Sequence, residues 1–339
     1  MRYVWVTDVH ITTYNLQLCK QVFDKILEAV VEFECGGIII TGDVYNSKSL
    51  IYSQAQNLFF EFVSHKDLRD KDIIVMPGNH DLENLKSFRH ALEPLKSLEN
   101  VTIVDPPEPF IHTQTRAAFI PYLHDKNLML KAINKCKGIP NLFIHDGVNG
   151  AKIGNSHTDD FSFCPTTYKD FENVYAGHYH SYQVVDNITY LGTPFSQSFS
   201  EANKTSYIGM IDFDTGAKLL KIPTNLRRHI ELSFDLRKQK IDKAKIEKAL
   251  QNPDNILKIK LSGNTKQLQA GKKAIAAEKG NIQLVLTNTE EKLGRLEIEG
   301  DNAEDVRVSD YMSAYVKHKE SGLSADKLIK LGKKLLEDD

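Results

Sequence analysis

The chain alternates short apolar runs with longer segments in which apolar residues recur three and four positions apart. The longer segments predict α-helices at residues 16–34, 49–64, 83–98 and 125–136. The short runs predict ten strands, at residues 3–7, 37–41, 73–76, 101–104, 117–120, 142–144, 173–175, 188–191, 207–213 and 219–222. This alternation predicts parallel strands with helices packed outside. The later, hairpin-like strands predict a mixed sheet or two stacked sheets.

The composition changes after Pro223. Residues 227–279 hold fourteen Lys and Arg against six Asp and Glu, a local excess of positive charge in a chain whose net charge is -2. The pattern there predicts a small α/β unit with strands 229–234, 256–261 and 282–287 and helices 242–251 and 265–279. Residues 306–337 predict two amphipathic helices with more apolar surface than an isolated pair can bury. We therefore predict domains at 1–225, 226–300 and 301–339.

The cysteines and the chain start bear on location. The four cysteines are widely spaced and form no C-x-x-C motif, so a disulfide framework is not expected. The first residues, MRYVWVTDVH, lack the charged and apolar regions of a signal peptide. No run approaches the ~18 apolar residues of a membrane span. We expect a cytoplasmic protein without a membrane segment.

Five predicted strands are followed at once by side chains that can ligate a metal ion. These side chains are Asp8, His10, Asp43, Asn79, His145, His178 and His180. A single polar residue at a strand end is usually a turn former, but five strands ending this way predict one shared site, because open α/β sheets bind ligands beyond their carboxyl ends. Asp8 and His10 are two positions apart, as are His178 and His180. In an extended chain, side chains two positions apart lie on the same side.

The donor set indicates the chemistry. Oxygen and nitrogen donors without thiolate suit Mn²⁺, Fe²⁺, Zn²⁺ or Mg²⁺. Asp43 can bridge two ions because a carboxylate has two oxygens. Two metal ions about 3.5–4 Å apart stabilise the attacking and leaving oxygens of a phosphoryl displacement, so the pattern predicts hydrolysis of a phosphoester without a covalent nucleophile.

Taken together and in this order, D-x-H, G-D, G-N-H-D, a lone His and G-H-x-H resemble the calcineurin-like metallophosphoesterase superfamily. The resemblance implies an α/β fold with a β-sandwich flanked by helices, a small α/β capping domain and a C-terminal helical pair. It assigns one metal to Asp8, His10, Asp43 and His180, and the other to Asp43, Asn79, His145 and His178. It also implies that His80 is catalytic and protonates the leaving oxygen, with Asp81 orienting the His80 imidazole and raising its pKa.

The stretch YLGTPFSQSFSE, from Tyr190 to Glu201, is similar to the Y-x-G-S-P…S-F-x-E segment of SbcD-type DNA double-strand-break repair nucleases, with Thr193 where Ser is usual. The layout is most similar to recombination endonuclease subunits of bacteriophages. This resemblance implies a DNA exo/endonuclease subunit of an SbcCD-like complex that uses two divalent ions, Mn²⁺ first and Mg²⁺ second. It further implies an SbcC-like ABC-type ATPase docked on the C-terminal helices, a homodimer, and a bacterial or phage-infected cytoplasm.

Other interpretations stay open. Many relatives have His at the position of Asn46, and Asn cannot titrate, so the exonuclease–endonuclease balance is undetermined. The candidate DNA-binding residues are Asn46, Arg227, Arg228, Lys272 and Lys273, although Lys-rich helix faces can simply be solvated. Helices 49–64 and 83–98 can cover the sheet instead of forming a dimer, and the C-terminal helices can fold on their own core. The functional alternatives are a small-molecule phosphatase or phosphodiesterase of the same superfamily and a non-catalytic scaffold.

Overall fold

The computed structural model describes residues 1–48, 50–154, 156–157, 163–276 and 278–289. The predicted C-terminal helical pair at 301–339 lies outside the described residues. The described α-helices are α1 (Leu16–Glu32), α2 (Ser53–Val63), α3 (Lys126–Lys135), α4 (Lys243–Leu250) and α5 (Thr265–Ile275). None of these is both long enough and apolar enough to cross a membrane.

The described part of the chain also contains seventeen strands. They are β1 (Arg2–Val6), β2 (Gly37–Thr41), β3 (Asp72–Met76), β4 (Val101–Ile103), β5 (Phe110–His112), β6 (Ala117–Ile120), β7 (Asn141–His145), β8 (Lys152–Ile153), β9 (Ser156–His157), β10 (Asn173–Gly177), β11 (Gln183–Val185), β12 (Ile188–Tyr190), β13 (Tyr207–Asp212), β14 (Lys218–Pro223), β15 (His229–Asp235), β16 (Ile256–Gly263) and β17 (Asn281–Asn288).

Two six-stranded sheets form the larger part of the molecule. The first has the order β14-β13-β1-β2-β3-β4, in which β1 to β4 are parallel, β13 is antiparallel to β1 and β14 is antiparallel to β13. The second has the order β11-β12-β10-β7-β6-β5, in which β6, β7, β10 and β12 are parallel and β5 and β11 are antiparallel. Both sheets are therefore mixed, with a parallel centre.

The two sheets pack face to face through aromatic side chains. Trp5 on β1 contacts Phe143 on β7 and Tyr175 on β10 in edge-to-face geometry, with ring centroids 6.1 and 5.2 Å apart. The alternate β1 residues Val4 and Val6 belong instead to the apolar cluster that includes α1 and α2. Both faces of the central strands are buried, which explains their continuous apolar sequences. The β-sandwich flanked by helices is confirmed.

The chain divides into two compact units. The first comprises Met1–Ser233, Asp242–Ile259 and Lys279–Leu284, and the second comprises Phe234–Ile241, Lys260–Glu278 and, among the described residues, 285–289. Strands β15, β16 and β17 form a three-stranded sheet in that order. Within the second unit, α5 begins with a reciprocal capping box between Asn264 and Gln267. The predicted domain boundaries stay predictions.

One predicted element is wrong. Residues 83–98 do not form an α-helix but turns followed by a 3₁₀-helix at Glu93–Ser97. The side chains of Asn84 and Ser87 accept hydrogen bonds from backbone amides two residues later, which offers the backbone an alternative to helical bonding. The other predicted helices of residues 1–289 and the predicted strands are confirmed, with ends shifted by a few residues. Strands β5, β8, β9 and β11, each of two or three residues, were not predicted.

Candidate metal centre

The seven predicted ligands lie together where parallel strands end. Strands β1, β2 and β3 of the first sheet lead into Asp8, His10, Asp43 and Asn79, and strands β7 and β10 of the second lead into His145, His178 and His180. Within the described residues, ligand atoms approach within 4.8 Å of one another in three groups. The groups are Asp8–His10–His180, His10–Asp43–His80 and Asp43–His145–His178. These groups adjoin a cleft of about 450 Å³ lined by Asp43, Asn79, His80, His178 and His180, among others.

Asp43 connects the groups. Its Oδ2 atom lies 3.6 Å from His10 Nε2 and 3.4 Å from His145 Nε2, and all three side chains are buried. Burial alone would raise the pKa of Asp43, but the charge of the adjacent His145 ring holds that pKa well below its usual range. Asp43 is therefore a carboxylate, the form that can bridge two cations.

The buried histidines have nitrogen atoms that meet no partner. Both ring nitrogens of His10 and the Nε2 atom of His145 are buried without a hydrogen bond. Burial, as the largest cause, lowers the pKa of His10 and of His178 to about 3, so both imidazoles are neutral with a lone pair available. Buried polar atoms normally have partners. A carboxylate together with imidazole nitrogens that lack hydrogen-bond partners suits divalent cations, so these residues fit the metal ions that the sequence predicts.

The backbone of the site is held in uncommon conformations. Asp8, His10, Asp43 and His178 have positive φ angles of 53°, 49°, 51° and 92°. Such angles are rare for residues other than glycine and cluster at functional sites. The adjoining chain needs Gly78, because a Cβ atom there would lie 2.2 Å from Asp43 Oδ1. The directions of these four side chains thus depend on turns whose uncommon backbone angles are maintained by the close packing of neighbouring chain segments.

His80 lines the cleft, and both its ring and its backbone are hydrogen-bonded to the protein. Its Nδ1 atom is 2.7 Å from the backbone oxygen of Asn46, and its backbone N–H donates to Asp43 Oδ1 at 2.8 Å. The His80 ring also meets the His10 ring edge-on, with centroids 4.9 Å apart. With Nδ1 engaged by a carbonyl, the other ring nitrogen is left for the cleft. Asn46 therefore contacts His80 through its main chain, and its exposed side chain remains available to a ligand.

The expectation that Asp81 orients His80 is wrong. The Asp81 carboxylate is buried and accepts hydrogen bonds from the backbone amides of Val44, Tyr45 and Gly78, at 3.3, 3.0 and 2.9 Å. Burial and then the Asp43 charge raise the pKa of Asp81 to about 7, against these hydrogen bonds. The turns after β2 and β3 contain amides that no strand pairs, and Asp81 satisfies them. Asp81 joins two turns that present ligands and does not act on the imidazole.

Several supporting residues were not predicted. The His145 Nδ1 atom contacts the Thr41 backbone oxygen at 2.6 Å, and Thr7 Oγ1 donates to Asp8 Oδ2 at 2.6 Å. Glu201 is buried, and its Oε1 atom lies 3.1 Å from His180 Nδ1. The only sequence signal for Glu201 was its place in the YLGTPFSQSFSE stretch. Contacts to backbone oxygens, such as that of His145, leave no sequence signal.

The predicted DNA-binding residues are distributed differently. Arg227 is half-buried, donates from Nε to the Ser196 backbone oxygen at 3.3 Å and lies over the Phe195 ring. Arg228 has a buried Nε atom with no hydrogen-bond partner. Lys272 and Lys273 are exposed in the last turn of α5, in the second unit. The four residues do not form one cluster within a single unit.

Comparison with known proteins identifies the class. A model of the calcineurin-like phosphoesterase family matches residues 1–201 of the 339 residues, and the chain belongs to this family. The family hydrolyses phosphoesters and uses divalent metal ions, in agreement with the donor set at the strand ends. The predicted superfamily is thus confirmed.

Two more specific similarities were found. Exonuclease subunit 1 of Enterobacteria phage T4 is 25% identical over 234 residues, which covers 65% of this chain and 66% of that protein, just under two thirds. The crystal structure of the Pseudomonas putida nuclease MPE matches with a TM-score of 0.33 and 16% identity, over 65% of this chain and 87% of that one.

We predict that Asp81→Ala lowers the free energy of unfolding by about 3–5 kcal/mol, because three buried backbone amides lose their acceptor. His80→Ala removes a partly exposed ring and should change stability by about 1 kcal/mol or less. Urea unfolding of both variants, followed by circular dichroism, measures the difference. Equal stability of the two variants would contradict a structural role for Asp81.

Proposed function

We propose that the protein is a metal-dependent DNA exo/endonuclease subunit of an SbcCD-like recombination and repair complex, which hydrolyses phosphodiester bonds at DNA ends. The main support is the convergence of predicted donors in a calcineurin-like phosphoesterase: six of them lie in mutually close groups, and Asn79 lines the adjoining cleft. The similarity to a phage exonuclease subunit supports DNA as the substrate.

The proposed metal ligands divide into two sets that share Asp43. One set is Asp8, His10, Asp43 and His180, and the other is Asp43, Asn79, His145 and His178. Two divalent ions, Mn²⁺ in preference to Mg²⁺, supply charge stabilisation at the phosphate and activation of water when bound. The short contacts from Asp43 to His10 and His145 support its shared position.

His80 is proposed as the proton donor to the leaving oxygen. Its Nδ1 atom faces the Asn46 carbonyl, so a protonated ring presents its second N–H to the cleft. This arrangement orients the imidazole without a carboxylate partner. The Asn46 side chain is proposed to contact the DNA phosphate as a hydrogen-bond donor, in place of the histidine of many relatives.

The proposed assembly follows from the sequence and from the relative. The phage T4 protein is named as a subunit, which supports an assembly with a further protein. We propose that residues 301–339 bind an SbcC-like ABC-type ATPase and that the chain forms a homodimer. The four cysteines are free thiols, which supports the proposal that the protein is located in the cytoplasm of a bacterial or phage-infected cell.

We expect linear duplex DNA to be degraded in the presence of Mn²⁺, more slowly with Mg²⁺, and not at all after chelation, because the charge at the phosphate is then uncompensated. Release of nucleotides is measured with the full chain, with and without its ATPase. Restoring Mn²⁺ should restore cleavage. Turnover of small phosphoesters that DNA does not inhibit, without any DNA cleavage, would overturn the proposal in favour of a small-molecule phosphodiesterase.

His80→Ala should reduce DNA cleavage by about 10²–10⁴-fold, since the leaving oxygen loses its proton donor. Mn²⁺ binding measured by calorimetry should be unchanged, because His80 is not proposed as a ligand. Loss of Mn²⁺ binding together with cleavage would instead make His80 a ligand, as its approach to His10 and Asp43 permits.

The exposed pair Lys272 and Lys273 provides a test of DNA contact outside the cleft. Lys272→Glu with Lys273→Glu should weaken duplex binding and reduce the slope of log affinity against log salt by about 2, since two phosphate contacts are lost. Fluorescence anisotropy at several salt concentrations measures this slope. The matched control, Lys131→Glu with Lys169→Glu, changes the net charge equally at exposed positions of the first unit. An equal loss in both doubles would indicate a general charge effect only.

A further inference from the structure

Glu201 is a buried carboxylate beside the proposed metal centre. It is 4% exposed, and its Oε1 atom accepts long hydrogen bonds of 3.5 Å from the hydroxyls of Ser198 and Ser200 in addition to the contacts that follow. Oε1 lies 3.1 Å from His180 Nδ1, and Oε2 accepts hydrogen bonds from the backbone amides of Gln197 and Ser198, at 2.5 and 3.4 Å. Every one of these neighbours can donate, and the carboxylate is consequently satisfied without leaving its buried position.

The loop that presents Glu201 is fixed at both ends. Gln197 donates from Nε2 to the backbone oxygen of Asp8 at 3.0 Å, which connects the loop to a proposed ligand. Ser196 Oγ lies 3.0 Å from His229 Nδ1, and Lys258 Nζ lies 3.7 Å above the Phe199 ring. The loop is thus held against the turn after β1 on one side and against β15 and β16 on the other. Because the loop is held on both sides, the Glu201 carboxylate has a fixed position. The orientation of the His180 ring is therefore set by the carboxylate, and not the reverse.

We propose that Glu201 is a positioning residue for the metal centre: it holds the His180 ring with Nδ1–H directed at the carboxylate and the Nε2 lone pair directed at Asp8 and His10. The inference rests on the metal site of the proposed function and adds a residue to it. A carboxylate that accepts from one ring nitrogen fixes the tautomer and increases the basicity of the other. Without this partner a neutral His180 can place its proton on Nε2, where it blocks a cation.

The effect should be confined to one of the two ligand sets. The Nδ1 atom of His145 contacts the Thr41 backbone oxygen at 2.6 Å, and the Nδ1 atom of His178 lies 3.0 Å from Asn79 Oδ1. Only His180 has a carboxylate at its Nδ1 atom among these three histidines. A change at Glu201 therefore acts on the group that contains Asp8, His10 and His180 and leaves the group around His145 and His178 in place.

Glu201→Gln separates this role from a structural one. The amide carbonyl can still accept from the Gln197 and Ser198 backbone, which keeps the loop, but its NH₂ group then faces His180 Nδ1. That contact requires an unprotonated Nδ1 and moves the proton to Nε2. Calorimetric titration with Mn²⁺ should show one binding step weakened by about 10–100-fold and the other unchanged. The thermal midpoint of the metal-free variant should stay close to that of the unmodified chain.

Two further measurements complete the test. Glu61→Gln, the same substitution at an exposed position of α2, should leave both binding steps unchanged. Long-range ¹H–¹⁵N correlation spectra of the unmodified metal-free chain, recorded above the pKa of His180, should show the proton on Nδ1, whether or not the variant folds. A proton on Nε2, or equal Mn²⁺ affinity in Glu201→Gln and the unmodified chain, would overturn the role of Glu201 alone. Absence of Mn²⁺ binding by the unmodified chain would overturn the metal site itself.

Discussion

The candidate site depends on one buried carboxylate, Asp43, which lies between histidines from both sheets. It is within 3.6 Å of His10 and 3.4 Å of His145, and it also accepts the backbone N–H of His80. A buried anion is costly unless positive charge compensates it. Burial would lower the pKa of His145, but the Asp43 charge raises that pKa to about 10, so His145 compensates Asp43 in the metal-free chain. A bound divalent cation would supply the same compensation.

Close packing of the two sheets turns this requirement into a defined geometry. The contact between Trp5 and Phe143 packs one sheet on the other, so the carboxyl ends of their parallel strands lie close together. The polar residues that follow these strands consequently lie at one cleft. The Gly177 position shows how near the edges come, because a Cβ atom there would lie 2.3 Å from Thr7 Oγ1. Positive φ angles at Asp8 and His10 are sustained by this surrounding structure, since isolated turns would relax. Supporting contacts from Thr41 and Glu201 then fix individual rings.

The two errors made from the sequence both concern side chains that accept hydrogen bonds from backbone amides. Asp81 follows His80 directly, and adjacency suggested that the carboxylate serves the imidazole. The carboxylate instead accepts from amides of Val44 and Tyr45, nearly forty residues away, because those turn amides have no strand partner. Residues 83–98 have helical spacing of apolar residues, yet side-chain hydrogen bonds to the backbone favour turns there. In both cases hydrogen bonds to backbone amides determined the structure, and the sequence pattern, either adjacency or helical spacing, did not.

The sequence alone predicted most of the strands, their alternation with helices, the family and the candidate donors, because buried strands and metal ligands require particular residue types at particular spacings. Tertiary structure decided which atoms meet. The shared place of Asp43, the carbonyl behind His80 and the carboxylate behind His180 depend on backbone directions and on contacts between residues far apart in the chain. Such contacts are fixed by packing and by the pairing of buried polar groups, and residue type alone does not encode them.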